Sequence, residues 1–118
     1  MTPTAFRKLA LSLPAAHESP HFERTSFRVG TKIFATMTQD GREAMIPVHP
    51  IDRCLAILDS DRDVFIDYKG WTLKFGSLGM RLPKVDAKLV KELMTQAHAR
   101  VTPKPKPKAA KKTKAAKR

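Results

Sequence analysis

The links between the strand-like segments of this 118-residue chain are short enough to be turns, and that restricts the fold more than any other feature. Parallel neighbours need a crossover of about a dozen residues or more, whereas antiparallel ones need only a tight turn. Ser26 to Val29 and Lys32 to Thr38 are rich in β-branched and aromatic residues and flank Gly30-Thr31, a hairpin signal. Gln39-Asp40-Gly41 marks a second turn, leading into Glu43 to Val48. Three antiparallel strands in a meander are the simplest result. Val64 to Tyr68 and Trp71 to Phe75 read as two further strands around Lys69-Gly70, and Gly79 to Leu82 extends or follows them.

Between these runs the apolar period changes to that of a helix. Thr2 followed by Pro3 reads as an N-cap with proline at the first helical position, and Phe6, Leu9, Ala10 and Leu13 then share a face until Pro14 stops the helix. Ile51, Cys54, Leu55 and Leu58 line a short second helix. Asp86 is an N-cap for a last helix with an apolar stripe of Leu89, Val90, Leu93, Met94, Ala97 and Val101. The order is α-β-β-β-α-β-β-α. This is an α+β arrangement: a mainly antiparallel sheet with helices packed on one face.

From Thr102 onward the chain has nothing to bury. Lys104, Lys106, Lys108, Lys111, Lys112, Lys114 and Lys117 are joined by Arg118 and by no acid. Residues 1–101 therefore form the folded domain, and residues 102–118 are expected to be a disordered basic tail, extended where proline alternates with lysine. Of the 23 basic residues eight lie in this tail, so it holds +8 of the formal +12, and the domain, with 15 basic against 11 acidic residues, holds +4.

The one cysteine, Cys54, cannot form an intramolecular disulfide, and no secretory leader pattern is evident, so the cytoplasm is the expected compartment. No run approaches the roughly 18 apolar residues of a membrane span.

Several patterns suggest chemistry and fail on physical grounds. His17-Glu18-Ser19-Pro20-His21 satisfies H-E-x-x-H, but a zinc site of that type needs both histidines on one helical face, and Pro20 breaks such a helix. These residues are read as loop or strand. Cys54 has His49 five residues upstream, yet it lies on the apolar stripe and is read as core. Asp59, Asp61, Asp63 and Asp67 alternate like cation ligands, but Val64 and Gly70 stand where a calcium loop requires glycine and glutamate. A solvated connection is expected instead. Gly76-Ser77-Leu78-Gly79 matches a G-x-x-G loop and is read as a turn between strands. Signatures for acyl transfer, nucleotide hydrolysis and dinucleotide binding are missing, so the expectation is a protein that is not an enzyme and needs no cofactor or small-molecule substrate.

The residues also resemble a family. Phe6-Arg7 with Leu9 through Leu13-Pro14, Phe27-Arg28-Val29-Gly30 running into Lys32-Ile33-Phe34-Ala35, Gly70-Trp71 and the closing apolar helix are similar to the MmcQ/YjbR family of small bacterial proteins. The resemblance covers roughly residues 2–101. It implies a two-layer fold with a curved antiparallel sheet, like that of secretion chaperones and of the double-wing DNA-binding domain of a phage transcription factor. DNA binding is the function it implies.

Basic groups are the remaining signal. Arg24, Arg28, Lys32, Arg42, Lys69, Lys74 and Arg81 lie in or beside the strands and turns, where several can meet phosphates. Tyr68 and Trp71 are candidates for base stacking, although the alternation of Trp71, Leu73 and Phe75 favours packing in the core. The expectation is a nucleic-acid-binding protein, with DNA preferred and a place at the nucleoid. Residues 102–118 would supply phosphate contacts, and Arg24, Arg28, Lys32, Lys69, Lys74 and Arg81 weak orientation. The competing expectation is a protein-interaction or chaperone-like module whose tail aids solubility or adhesion.

Overall fold

The computed structural model describes residues 1–21 and 23–102. The expected tail disorder, and the tail cations with it, lie outside the described residues from position 103 onward. Ten elements run in the order α1 (Pro3–Leu11), β1 (Ala16–His21), β2 (Arg24–Val29), β3 (Lys32–Thr38), β4 (Glu43–Pro47), α2 (Ile51–Ser60), β5 (Phe65–Ile66), α3 (Trp71–Phe75), β6 (Ser77–Arg81) and α4 (Ala87–Val101). The strands form one sheet in the order β1-β2-β3-β4-β6-β5, and every neighbouring pair is antiparallel. The α+β class and antiparallel sheet are as expected. Among the described residues no helix is long and apolar enough to cross a membrane.

Three elements differ from the expectation, each for a physical reason. The polar stretch after Pro14 is strand β1, which pairs with β2 from Ala16↔Val29 to His21↔Arg24. It is an edge strand with no fully buried residue, so it lacks the apolar alternation that reveals a half-buried strand. Pro20 is tolerated there because an edge strand carries only one ladder.

The second difference is α3. Trp71 to Phe75 is a single helical turn, not a strand, bracketed by Gly70 at φ 77° and Gly76 at φ 68°. Both glycines occupy the left-handed region that side chains avoid, and together they force the chain into and out of the turn. Thr72 is the residue that α3 buries: its hydroxyl donates to the Ser77 carbonyl at 2.8 Å, and its N–H donates to Asp67 Oδ1 at 3.1 Å. The apolar alternation therefore faces outward. Third, Gly76-Ser77-Leu78-Gly79 is not a turn between strands, since Gly76 caps α3 and Ser77 already starts β6.

The core lies on one face of the sheet. Thr2 caps α1 through its hydroxyl, which accepts from the Ala5 N–H at 3.0 Å, and α1 delivers Phe6 against Phe27 with ring centroids 5.9 Å apart. Cys54 and Leu58 of α2, and Val90, Leu93, Met94 and Ala97 of α4, join Phe34, Ile46, Leu78 and Met80 of the sheet in the same cluster. His98 is buried with them, edge-on to Phe34 at 5.3 Å and held at 2.7 Å from the Pro14 carbonyl through Nε2.

Alternation along the strands puts Arg24, Ser26 and Arg28 of β2, Glu43, Met45 and Pro47 of β4, and Ser77, Gly79 and Arg81 of β6 on the opposite, more open face, where of these Ser26 and Gly79 alone are buried. Gly79 is the position on that face where a side chain has no room. A Cβ there would stand 2.5 Å from Tyr68 Cε2 and 2.6 Å from the Ile66 carbonyl oxygen. The second contact is backbone and cannot swing away, so Gly79→Ala is expected to destabilise the domain by about 1–3 kcal/mol. A denaturant melt of the variant against the parent measures it.

Candidate nucleic-acid interface

The chain between β5 and α3 folds back over the open face. Tyr68 lays its ring on Gly79 and donates its hydroxyl to Glu43 Oε1 on β4. Arg24 of β2 reaches the same ring, its guanidinium carbon 5.5 Å from the centroid, while its Nε donates to Thr36 Oγ1 at 3.2 Å. Another nitrogen of the same guanidinium, Arg24 Nη2, is buried and finds no acceptor among the described residues. Burial, together with the hydrogen bond and charge of Glu43, pushes the Tyr68 phenol up to about 12, against a smaller opposing pull from Arg24.

Beside this unit the open face forms a cleft of about 740 Å³. That lies within the roughly 300–1,000 Å³ typical of ligand sites. His21, Glu23 and Arg24 line one side, Thr36, Thr38, Met45 and Ser77 the sheet, and Lys69, Trp71 and Phe75 the other side. Trp71 and Phe75 stand 6.5 Å apart in an edge-to-face pair, and Lys74 lies 5.3 Å from the centre of the Phe75 ring. Trp71 is 38% exposed, Leu73 64% and Phe75 56%, so the expected packing of Trp71 in the core is corrected. The glycine-bracketed turn puts Thr72 inside and the large side chains outside.

The six candidate cations of the domain divide into two sets. Arg24 and Lys69 line the cleft, and Lys74 adjoins it on the Phe75 ring. Arg28 is held on β2 by Ser26 Oγ at 2.8 Å and by the Pro20 carbonyl at 3.4 Å. Lys32 is exposed where β3 begins, and Arg81 donates to the Asp63 carbonyl at 3.1 Å. These three stand outside the cleft. Glu23 and Met45 also belong to the cleft, as does His21, and no sequence pattern pointed to that role for any of them. The paired glycines flanking five residues were the one signal that pointed toward an outward-facing Trp71.

The other patterns have structural places. His17 and His21 sit four residues apart on a strand, a separation of about 13 Å that no single metal ion bridges. His17 Nε2 instead lies 2.9 Å from the Gly30 carbonyl. Among the described residues no three His, Cys, Asp or Glu side chains gather as a metal site. Asp59 pairs with Arg62 at 2.6 Å and Asp63 with Lys84 at 2.7 Å; the Lys84 hydrogen bond and charge hold the Asp63 carboxyl below its ordinary range. Cys54 is fully buried, and burial, with the Asp67 charge adding, pushes its thiol up to about 11. It is expected to resist alkylation at neutral pH in the folded protein and to react only on unfolding, as a thiol-labelling time course would measure.

The fold and this face define a small two-layer α+β domain with a helix-covered side and an open, partly aromatic side. The YjbR family model matches residues 11–100, and the chain belongs to that family. The crystal structure of Deinococcus radiodurans protein DR2400, with a DUF419 domain, superposes with a TM-score of 0.73 at 23% identity, covering 87% of this chain and 80% of that one. A search of curated proteins finds no match.

The single tyrosine reports on the site directly. Its phenolate absorbance is expected to titrate near 12 instead of the ordinary 10. The native state holds the protonated phenol more tightly than the unfolded chain does. The resulting stability is therefore complete below about pH 10 and lost as pH rises through the folded pKa. Tyr68→Phe, which leaves Glu43 without its donor, is expected to lower stability by about 1–2 kcal/mol at neutral pH and to flatten this alkaline loss. Melts repeated across that pH range check both.

Proposed function

We propose that this protein is a non-enzymatic DNA-binding protein in which the lysine-rich C-terminal segment supplies phosphate contacts and the folded domain supplies orientation. The observation that carries this reading is the open sheet face, where Arg24, Lys69 and Lys74 gather around two exposed aromatic rings. Cations on an uncovered sheet meet phosphates, and neighbouring rings meet bases or sugars. The eight tail cations, uninterrupted by acids, add a polycation whose affinity for phosphate is independent of sequence. Family membership is compatible with this reading. Cys54, the one thiol of the chain, is buried and held protonated, which favours a binding role over thiolate catalysis.

A second reading rests on one observation of its own. Leu73, the most exposed large apolar residue among those described, adds on the same short helical turn an apolar group that no nucleic acid requires. A protein partner would use it, and would remain bound after nuclease treatment.

Deletion of residues 103–118 tests the primary reading while keeping Thr102, whose hydroxyl and N–H both bond the His98 carbonyl and close α4. The log-log salt dependence of DNA binding is expected to flatten by about 0.7–0.9 for each phosphate that the shortened chain no longer neutralises. Fluorescence anisotropy over a salt series measures the slope. Failure of the full chain to bind DNA at about 50 mM salt would sink the reading.

A further inference from the structure

We infer that the cleft between β2 and α3 receives an unpaired nucleobase, so that the folded domain prefers single-stranded to duplex nucleic acid. The inference rests on the nucleic-acid reading above and assigns a substrate to the same face.

Charge and shape together carry it. A surface that tracks duplex DNA needs a row of cations spaced to meet successive phosphates. The cleft offers two, Arg24 and Lys69, and sets the acid Glu23 among them. Its charge is therefore too small and too mixed to hold a duplex backbone. What it has in excess is ring surface. Trp71 and Phe75 form one wall, and both remain substantially exposed although apolar. A base buried in a duplex stack presents only its edges to a protein, whereas an unpaired base offers a face on which a ring can stack. Trp71 therefore matches a flat, neutral, aromatic group with one phosphate nearby, which describes a single nucleotide of an unpaired strand.

Arg24 supplies the second half of the match. It lines the wall opposite the rings, and its Nη2 has no acceptor among the described residues. A buried donor left unsatisfied is an unfavourable arrangement that an incoming acceptor relieves. Nε is held by Thr36 and Nη2 is buried, so the guanidinium would have to turn on ligand entry to bring Nη2 to a base carbonyl or phosphate oxygen in the cleft. Lys74, against the Phe75 ring at the rim, is placed for the adjoining phosphate. The short α3 turn is itself fixed by Gly70, Gly76 and the buried Thr72, so the rings are presented on a constrained support.

Trp71 is the sole tryptophan, so its emission reports on the cleft alone. The full chain is titrated with a mixed-sequence single strand of about 16 nucleotides, with its duplex and with free mononucleotides, following both anisotropy of an end label and Trp71 quenching. The single strand is expected to quench Trp71 and bind more tightly than the duplex. Trp71→Ala should weaken single-strand binding by about 10-fold and duplex binding, which rests chiefly on the tail, by much less. Trp71→Phe should retain most of the affinity. Trp71 is 38% exposed and packs on Phe75, so a melt of each variant separates loss of binding from loss of folding, and Trp71→Phe, which keeps a ring there, is the control for it. Binding of both forms without quenching, or an equal weakening of both in Trp71→Ala, overturns the cleft assignment and leaves the nucleic-acid reading standing. Equal quenching by mononucleotides at the same concentration overturns the assignment to a strand. Absence of binding to any of them at about 50 mM salt removes the nucleic-acid reading itself, and this inference with it.

Discussion

The open face of this domain is organised by the seating of Tyr68 on Gly79. A glycine in the middle of β6 gives up side-chain packing, and strands normally avoid it. Here the missing Cβ lets a ring lie directly on the backbone of the sheet. The phenol then reaches across to Glu43, and Arg24 closes over the ring from β2. One side chain thus connects the segment after β5 to three strands, and its position fixes where α3 begins a few residues later. The cleft exists because Tyr68 holds one of its walls in place.

The constraint also explains the distribution of polar groups. Tyr68, Glu43 and Arg24 form a chain of ring, carboxylate and guanidinium in a partly buried setting, where each group raises the importance of the others. The phenol rises to about 12 because burial and the carboxylate both oppose its ionisation. Arg24 offsets part of that effect, yet its own hydrogen bonding is incomplete, since Thr36 takes Nε and nothing described takes Nη2. A cation held in place but not saturated is well suited to meet an added acceptor. Arg28 and Arg81 are different, because their guanidinium groups already serve backbone carbonyls of Pro20 and Asp63.

The parts of this architecture that were legible from the sequence are those where local chemistry and burial agree. Thr2-Pro3 and Asp86 announce helix starts, and the 3.6-residue stripe through Leu93, Met94 and Ala97 announces a buried face. Gly30 and Gly41, both at positive φ, mark the hairpins. The illegible parts are those where burial does not follow hydrophobicity. β1 is held by its backbone ladder and by polar side-chain bonds such as His17 to the Gly30 carbonyl, with no residue fully buried, so Ala16 to His21 carries no apolar pattern to read. In α3 the pattern is inverted: Thr72 is buried by hydrogen bonds to Asp67 and Ser77, while Trp71, Leu73 and Phe75 remain outside. A strand and an outward-facing helical turn share that alternation over five residues, and only Gly70 and Gly76 distinguish them. The cleft was hidden for the same reason, because its aromatic wall is made of residues that ordinary patterning assigns to the core.

Domain and tail then pose separable physical problems. The tail holds +8 without any acid, so its attraction to a polyanion depends on charge density and salt and not on shape. The cleft has the opposite character: few charges of mixed sign, two rings, and a constrained backbone. Neither substitutes for the other, since a polycation responds to charge density and not to exposed bases, and a shallow aromatic cleft with two lining cations has little long-range reach. Joined in one chain, the tail would raise the local concentration of strand at the domain, and the cleft would need only modest intrinsic affinity to select among the forms presented to it. Selectivity would then reside in Trp71 and Arg24, and affinity in the lysines.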